Sequence, residues 1–315
     1  MGTYITRRLM WTPVLLLIVS FITFALGQFG PGDPVQILMG QYSDPEVVER
    51  IRKQKGLDDH IAIQYTRYIG NVLQGDFGES YQYRGRQVSE LLGKRLWVSA
   101  QLNLAGLIIS VSLGIIIGLF AALKQGTWWD SAAVSFTLIG QSLHIFLTAP
   151  VLLIIFALKL DILPTHGWEG FFSLNTILPA VVLGIPGIAI MTRLTRASTL
   201  DITGQDYIRT ARAKGLPERI VRTRHILRNA LIPVVTSLGF SLAGLASGSF
   251  IVELFFGIPG VGLLTIESLF ARDYPIIMAV TLLGTALFVL ANLVVDLAYP
   301  YLDPRIRLRG NYVAG

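Results

Sequence analysis

TILPAVVLGIPGIAIMTRLTR (176–196), followed shortly by DYIRTARAKG (206–215), is the stretch on which the reading of this chain turns. The first segment is apolar over the length that a bilayer core of about 30 Å demands, about 20 residues. The second is short, polar and basic. Within it Asp206 can cap a helix N-terminus, Arg212 and Lys214 suit the negative end of the helix dipole, and Gly215 ahead of Pro217 stops the helix. Tyr207 and Ala211 lie one turn apart on one side and Arg209 and Arg212 three apart on another, while Ala211 and Ala213 keep the surface low. A helix with one apolar and one basic face suits docking into a partner's groove.

Outward from this stretch the chain is mostly lipid-compatible. It has 315 residues, 52% hydrophobic and 15% charged, too apolar for a soluble domain of this size. Six runs are long enough to span, at about 9–29, 98–123, 132–158, 176–195, 230–256 and 276–299. The expected fold is all-α and polytopic, with six transmembrane helices. Basic residues orient them: Arg7 and Arg8 precede the first run, and Lys124 sits between the second and third. Eight Lys or Arg lie between Arg196 and Arg228, and Arg305, Arg307 and Arg309 follow the last run. Those segments are expected to be cytoplasmic, with both termini. The loop from Gly30 to Arg95 carries nine basic and nine acidic residues and has no bias against translocation, so an extracytoplasmic N-terminal loop domain is expected. The formal charge of +6 is thereby a topology signal rather than a nucleic-acid footprint. There is no cysteine, hence no disulfide, thiolate metal site or cysteine nucleophile.

Individual runs carry further marks. The first could be read as a signal peptide, but it exceeds the usual apolar core of one and five more runs follow. In the second, Gly114 and Gly118 have GxxxG spacing, suited to close helix approach, and Trp128 and Trp129 follow as an interfacial belt. The third contains GQSLH (140–144). Ser142 and His144, two apart on a helix, would not face each other, which argues against a rhomboid-like protease pair. Pro179, Pro186 and Gly187 are expected to interrupt the fourth run and mark it as a pore candidate. The fifth is rich in small residues, Gly239, Gly244 and Gly248 among them, and carries Glu253 near its outer end; that carboxylate should face protein or water.

Several motifs resemble one family closely: GPGDP (30–34), GDFGESY (75–81), the 206–216 segment with RHILRNALIPVV (224–235), FFGIPGVG (255–262), RDYP (272–275) and LDPRIRL (302–308). Together they are similar to the permease subunits of ABC importers, specifically the dipeptide, oligopeptide and nickel class. In the wider family's Glu-Ala-Ala motif the matching positions here are Arg209, Thr210, Ala211 and Gly215, so the glutamate is absent; the closing proline, Pro233, also comes later. The resemblance implies a multi-pass protein of a prokaryotic inner membrane, with one region at 1–97 holding the first span and outer loop, and a five-helix permease core at 98–310 with a cytoplasmic coupling loop at about 198–229. It implies that Asp206, Tyr207, Arg209, Ala211, Arg212, Ala213, Lys214, Gly215 and Leu216 meet a separate ATPase. Asp33, Asp76, Phe77 and Gly78 are candidate contacts of an external substrate-binding protein, or turn residues of the loop, and Ser142, Pro186, Gly239, Gly244, Gly248 and Glu253 are candidates for the pore or for helix packing.

The implied partners are a second, similar permease, expected in a heterodimer, two ATP-binding subunits, the binding protein and membrane lipid, with no nucleic acid. The chain itself has no P-loop, since Gly93-Lys94 is followed by Arg95, and no GxSxG, HExxH or Cys/His cluster. No cofactor or metal is expected in it; ATP and Mg belong to the partners. Peptide import by alternating access is the reading, with glutathione or nickel chelates as alternative cargo. A self-sufficient secondary transporter is a rival that would favour internal repeats and charges within spans; no clear repeat is seen and charges within the spans are few.

Overall fold

The computed structural model describes residues 2–29, 45–54, 56–245 and 248–302. Its helices in chain order are α1 (Gly2–Phe29), α2 (Pro45–Gln54), α3 (Ile61–Leu73), α4 (Val88–Leu123), α5 (Trp128–Ser142), α6 (Ile145–Leu152, widening into a π-helical stretch at Leu153–Lys159), α7 (Leu174–Thr203), α8 (Asp206–Ala213), α9 (Glu218–Ile220, continuing as a π-helical stretch Val221–Leu227 and a last turn Arg228–Ala230), α10 (Ile232–Ala243), α11 (Phe250–Phe256), α12 (Val261–Ala271) and α13 (Tyr274–Leu302). Among the described residues there is no strand, only an isolated antiparallel bridge between Glu79 and Gln87. Four helices, α1, α4, α7 and α13, are each long and apolar enough to cross a membrane. Two broken pairs, α5 with α6 and α11 with α12, raise the number to as many as six.

Three of the expected spans differ from their sequence reading. The third is bent by 102° where Leu143 and His144 turn extended. Ser142 therefore ends one helix and His144 precedes the next, so their spacing along a single helix does not apply. Ser142 Oγ returns to its own helix at the Leu138 carbonyl, 2.9 Å, and His144 stacks on Phe146. The fourth run is not interrupted: α7 runs through both Pro179 and Pro186. The fifth is not one helix from 230 to 256. It stops at Ala243, resumes at Phe250, and a further helix, α12, occupies what reads as a mere connection. The Gly and Ser residues between 244 and 249 lower helix propensity enough for tertiary packing to decide the path.

The chain forms two compact units. The first comprises residues 1–99, 246–250 and 259–293. Here α1 and α3 pack through rings, Phe21 and Phe24 lying 5.3 and 5.5 Å from Tyr65. The Tyr65 hydroxyl and Ser20 Oγ are hydrogen-bonded at 2.7 Å. Val88, Leu91 and Leu92 at the start of α4 close a core with Leu264 of α12 and Ile276 and Ala279 of α13.

The second unit comprises residues 100–245, 251–258 and 294–315. Its centre is a glycine seam between α4 and α7. A Cβ on Gly118 would lie 2.6 Å from the Thr192 carbonyl oxygen, and one on Gly187 would lie 2.9 Å from Ser110 Cβ. The GxxxG pair of α4 thus serves packing inside this chain, where helices in lipid associate through close contact and interhelical hydrogen bonds. Ser110 Oγ lies within hydrogen-bonding distance of its own helix at Gly106 O (2.8 Å) and of α7 at Gly184 O (3.0 Å). At the other end of the seam Arg196 of α7 makes a two-pronged ion pair with Asp130 of α5, both contacts 2.7 Å. Asp130 also accepts the Gly126 N–H at 3.2 Å.

Candidate coupling helix and cleft

Helix α8 stands on the helix that follows it. Ile208 and Ala211 are buried against Val221 and Ile226, with Ile202 packed alongside. The Arg212 guanidinium donates to both Glu218 carboxylate oxygens (3.3 and 3.2 Å) and Arg222 adds a third bond at 3.2 Å. Those two cations hold the Glu218 carboxyl below its ordinary range, Arg212 first. Asn229 Nδ2 donates to the Tyr207 hydroxyl at 3.4 Å and to the His225 carbonyl at 2.7 Å.

The end of α8 is a Schellman turn. Gly215 has φ +75°, its N–H donates to the Arg212 carbonyl at 2.9 Å, and the Leu216 N–H reaches back to Ala211 O at 3.4 Å. Orphan carbonyls at the helix end are thereby satisfied, and the left-handed position suits a residue without Cβ. At the start, Gln205 rather than Asp206 holds the cap position, and its side chain makes no capping bond. Asp206 is the first residue inside the helix, where its charge still suits the dipole, and it pairs with Arg209 at 3.5 Å.

The faces of α8 also differ from the sequence reading. The apolar contact is made by Ile208 and Ala211, not by Tyr207 and Ala211. Ala211 is consumed by the chain's own packing. Tyr207, with 43% of its surface exposed, turns outward with Arg209, Ala213 and Lys214. What is presented is a rigid, capped, basic surface with one tyrosine. Leu216 is partly exposed at the turn.

A cleft of about 440 Å³ opens between α4, α7 and α10. Asn103, Ser110, Ser237 and Ser241 give it polar atoms, Gly106, Gly187 and Gly244 its width, and among the described residues no charged side chain lines it. Asn103 Nδ2 donates to the Leu245 carbonyl at 3.0 Å. Such a lining can hydrogen-bond a polar solute without the tight hold of a fixed charge.

Of the candidate pore residues, only Gly244 lines this cleft. Gly239 lies half-buried in α10, and Pro186 is within α7. Gly248 abuts the backbone of Gly262, whose Cα would lie 2.7 Å from an added Cβ, so it is a packing residue. Glu253 is fully buried in α11, in keeping with the demand that it face protein or water.

In the loop ahead of α4, Asp76 Oδ1 accepts the Gly78 N–H at 2.8 Å, a turn that Gly78 completes with φ +81°. Phe77 packs against the Val88–Leu92 core rather than turning fully outward. Asp33, with the whole of the GPGDP motif, lies outside the described residues, as does most of LDPRIRL. Sequence reasoning missed the partner of this loop. The buried Asp273 accepts hydrogen bonds from Ser80 Oγ, from Tyr81 N–H (3.2 Å) and from Gln82 N–H (3.0 Å). Two motifs that the sequence marked separately, GDFGESY and RDYP, are one clamp.

Residues 114–308 match the family described as binding-protein-dependent transport system inner membrane components, and residues 1–96 match the N-terminal domain described for such membrane components. The chain belongs to that family. A probable peptide ABC transporter permease of Sinorhizobium fredii is 37% identical to this permease over 98% of the chain and all of its own length. Glutathione transport system permease proteins of Salmonella paratyphi A and Escherichia coli K12 are 40% and 38% identical over the same share. A chain from inward-facing conformations of the MetNI methionine ABC transporter superposes with a TM-score of 0.52 at 16% identity, covering 68% of this chain and 96% of that one. At that identity the likeness concerns the fold. The permease is a multi-pass membrane protein of the ABC importer class.

Proposed function

We propose that the permease forms half of a translocation path for peptides or peptide-like solutes such as glutathione, and that α8 transmits the work of a separate ATPase to it. The observation that carries this reading is the build of α8: pinned by Ile208 and Ala211, locked by Glu218 between two arginines, capped at Gly215, and basic on its outer face. A helix fixed so firmly to its neighbours moves them when it is pushed. It follows directly on α7, which lines the cleft, so closure of the ATPases would be felt by α7 and α4. That is alternating access, biased by the difference in ATP affinity between two states.

In this account both termini and α8 face the cytoplasm, the 30–95 loop faces outward, and the Asp76 turn, with the Asp273 clamp on residues 80–82 beside it in sequence, lies on the side of a substrate-binding protein. The working assembly contains a second permease, two ATP-binding subunits that carry the ATP and Mg, and the binding protein. The domains follow the same division, 1–97 for the first span and outer loop and 98–310 for the core. The hydrogen-bonding side chains of the cleft support a cargo with amide groups, such as a peptide.

Purification of the tagged permease from its native membrane tests this. Co-purifying ATPases, and ATP hydrolysis stimulated by a peptide-loaded binding protein, are expected. Substrate uptake by the purified chain alone in vesicles would return the secondary-transporter reading to first place.

A further inference from the structure

A second cleft of the core unit lies between α4 and α5. It measures about 390 Å³ and is lined by Ile116, Ile117, Phe120, Trp129, Ala132, Ala133 and Phe136. Its origin is a mismatch in side-chain size. Phe120 and Ile116 stand one turn apart on α4, Trp129 and Phe136 two turns apart on α5, and between the latter the chain places two alanines. The walls are exposed rather than packed together, Phe136 at 75% and Ile116 at 62%.

Among the described residues no charged side chain lines the groove, but its end is not apolar. Lys124 continues the Ile116–Phe120 stripe, since its N–H still bonds the Phe120 carbonyl at 3.1 Å. The Lys124 side chain is exposed and has no ion-pair partner among the described residues; nearby Asp130 is already held by Arg196. Trp128 and Trp129 lie against each other at the same end, their rings tilted by 32° with centroids 3.8 Å apart. Indoles beside a free cation mark the level of the headgroups, where an amphipathic ring is favoured. An apolar slot that ends at an unpaired cation matches a ligand with an apolar tail and an anionic head. A lipid supplies both features in one molecule, whereas a neighbouring helix would need a carboxylate at the same level.

We propose that this groove is a binding site for one anionic glycerophospholipid, its acyl chain lying over Ala132 and Ala133 between Phe120 and Phe136, and its phosphate paired with Lys124. On the orientation given above it belongs to the inner leaflet; the site itself does not depend on that orientation. The ligand would brace α5 against α4 beside the Asp130–Arg196 pair.

Native mass spectrometry of the full-length chain released from detergent, titrated with phosphatidylglycerol or phosphatidylethanolamine, tests the site. Wild-type protein is expected to retain phosphatidylglycerol at least about five-fold more than phosphatidylethanolamine, about 1 kcal/mol per nearby basic residue. Lys124→Gln should erase that preference yet keep weak binding of both. Ala133→Phe should fill the slot and lower retention of both. Ala132→Leu, a milder filling, guards against a folding defect in the first variant and should give an intermediate result. Equal retention of the two lipids by wild type and Lys124→Gln, or unchanged retention by both filled variants, overturns the proposal. So does a photo-crosslinker at position 133 that captures another protein subunit instead of lipid.

Discussion

Replacement of Gly215 tests the rigidity of α8 in graded steps. Nothing lies within 4 Å of a Cβ at this position, so alanine meets no steric obstacle and is disfavoured only by φ +75°. That conformation costs an L-residue about 1–2 kcal/mol. Proline adds two further faults: its φ is fixed near −65°, and it removes the N–H that donates to the Arg212 carbonyl at 2.9 Å, for a total of about 3 kcal/mol or more. The loss is local to the turn that holds Leu216 to Ala211, so insertion of the spans should be untouched. Hydrogen exchange at the Leu216 amide should quicken about five- to thirty-fold in Gly215→Ala and approach the unprotected rate in Gly215→Pro. Substrate-driven uptake by the complete complex should fall in the same order and vanish for proline, with membrane levels unchanged. Normal uptake by Gly215→Pro would refute the claim that a capped α8 transmits force.

Three other perturbations probe the core. Asp130→Ala strands the Arg196 guanidinium and should lower stability in detergent by about 2–3 kcal/mol, less than a fully buried pair would because Arg196 keeps some water contact; a double-mutant cycle with Arg196→Ala should recover most of that as coupling. Gly118→Ala drives a Cβ toward the Thr192 backbone and should cost about 1–3 kcal/mol in thermal unfolding, whereas Gly93→Ala in the same helix meets nothing and should be neutral or stabilising by up to about 1 kcal/mol. The Glu218 carboxyl is depressed in the folded chain by Arg212 and then Arg222, so its contribution is complete above the ordinary value of 4.5 and is lost as pH falls through the lower folded value. Exchange protection at Leu216 should therefore weaken below about pH 4.5 in wild type. In Glu218→Gln it should be weaker throughout and insensitive to pH.

The spans were legible because an unbroken apolar run of bilayer length has few other fates, and the basic segments around them gave an orientation to propose. The breaks were not. No proline stands at Leu143–His144, where the third run bends, while Pro179 and Pro186 stand in α7 and do not interrupt it. Proline marks where a helix loses a backbone bond, but neighbouring helices decide whether the axis turns. The short helix 206–213 was legible from its charge and its terminal glycine, but not its orientation. Tyr207–Ala211 and Ile208–Ala211 are equally good helical pairs, and only the position of Val221 and Ile226 selects the second. Long-range ion pairs such as Asp130–Arg196, and the Asp273 clamp on residues 80–82, leave no local periodic trace.

The absence of cysteine from the chain permits a direct test of the central claim, that the outer face of α8 is seated on an ATPase. Single cysteines at Arg209 or Lys214, on the exposed face, should cross-link in the assembled complex to a subunit that hydrolyses ATP, with a yield that changes when ATP is bound. A cysteine at Ile208, buried against Val221 and Ile226, should not react. Continued ATP-dependent uptake with no cross-link from Arg209, Lys214 or Tyr207 would contradict the account.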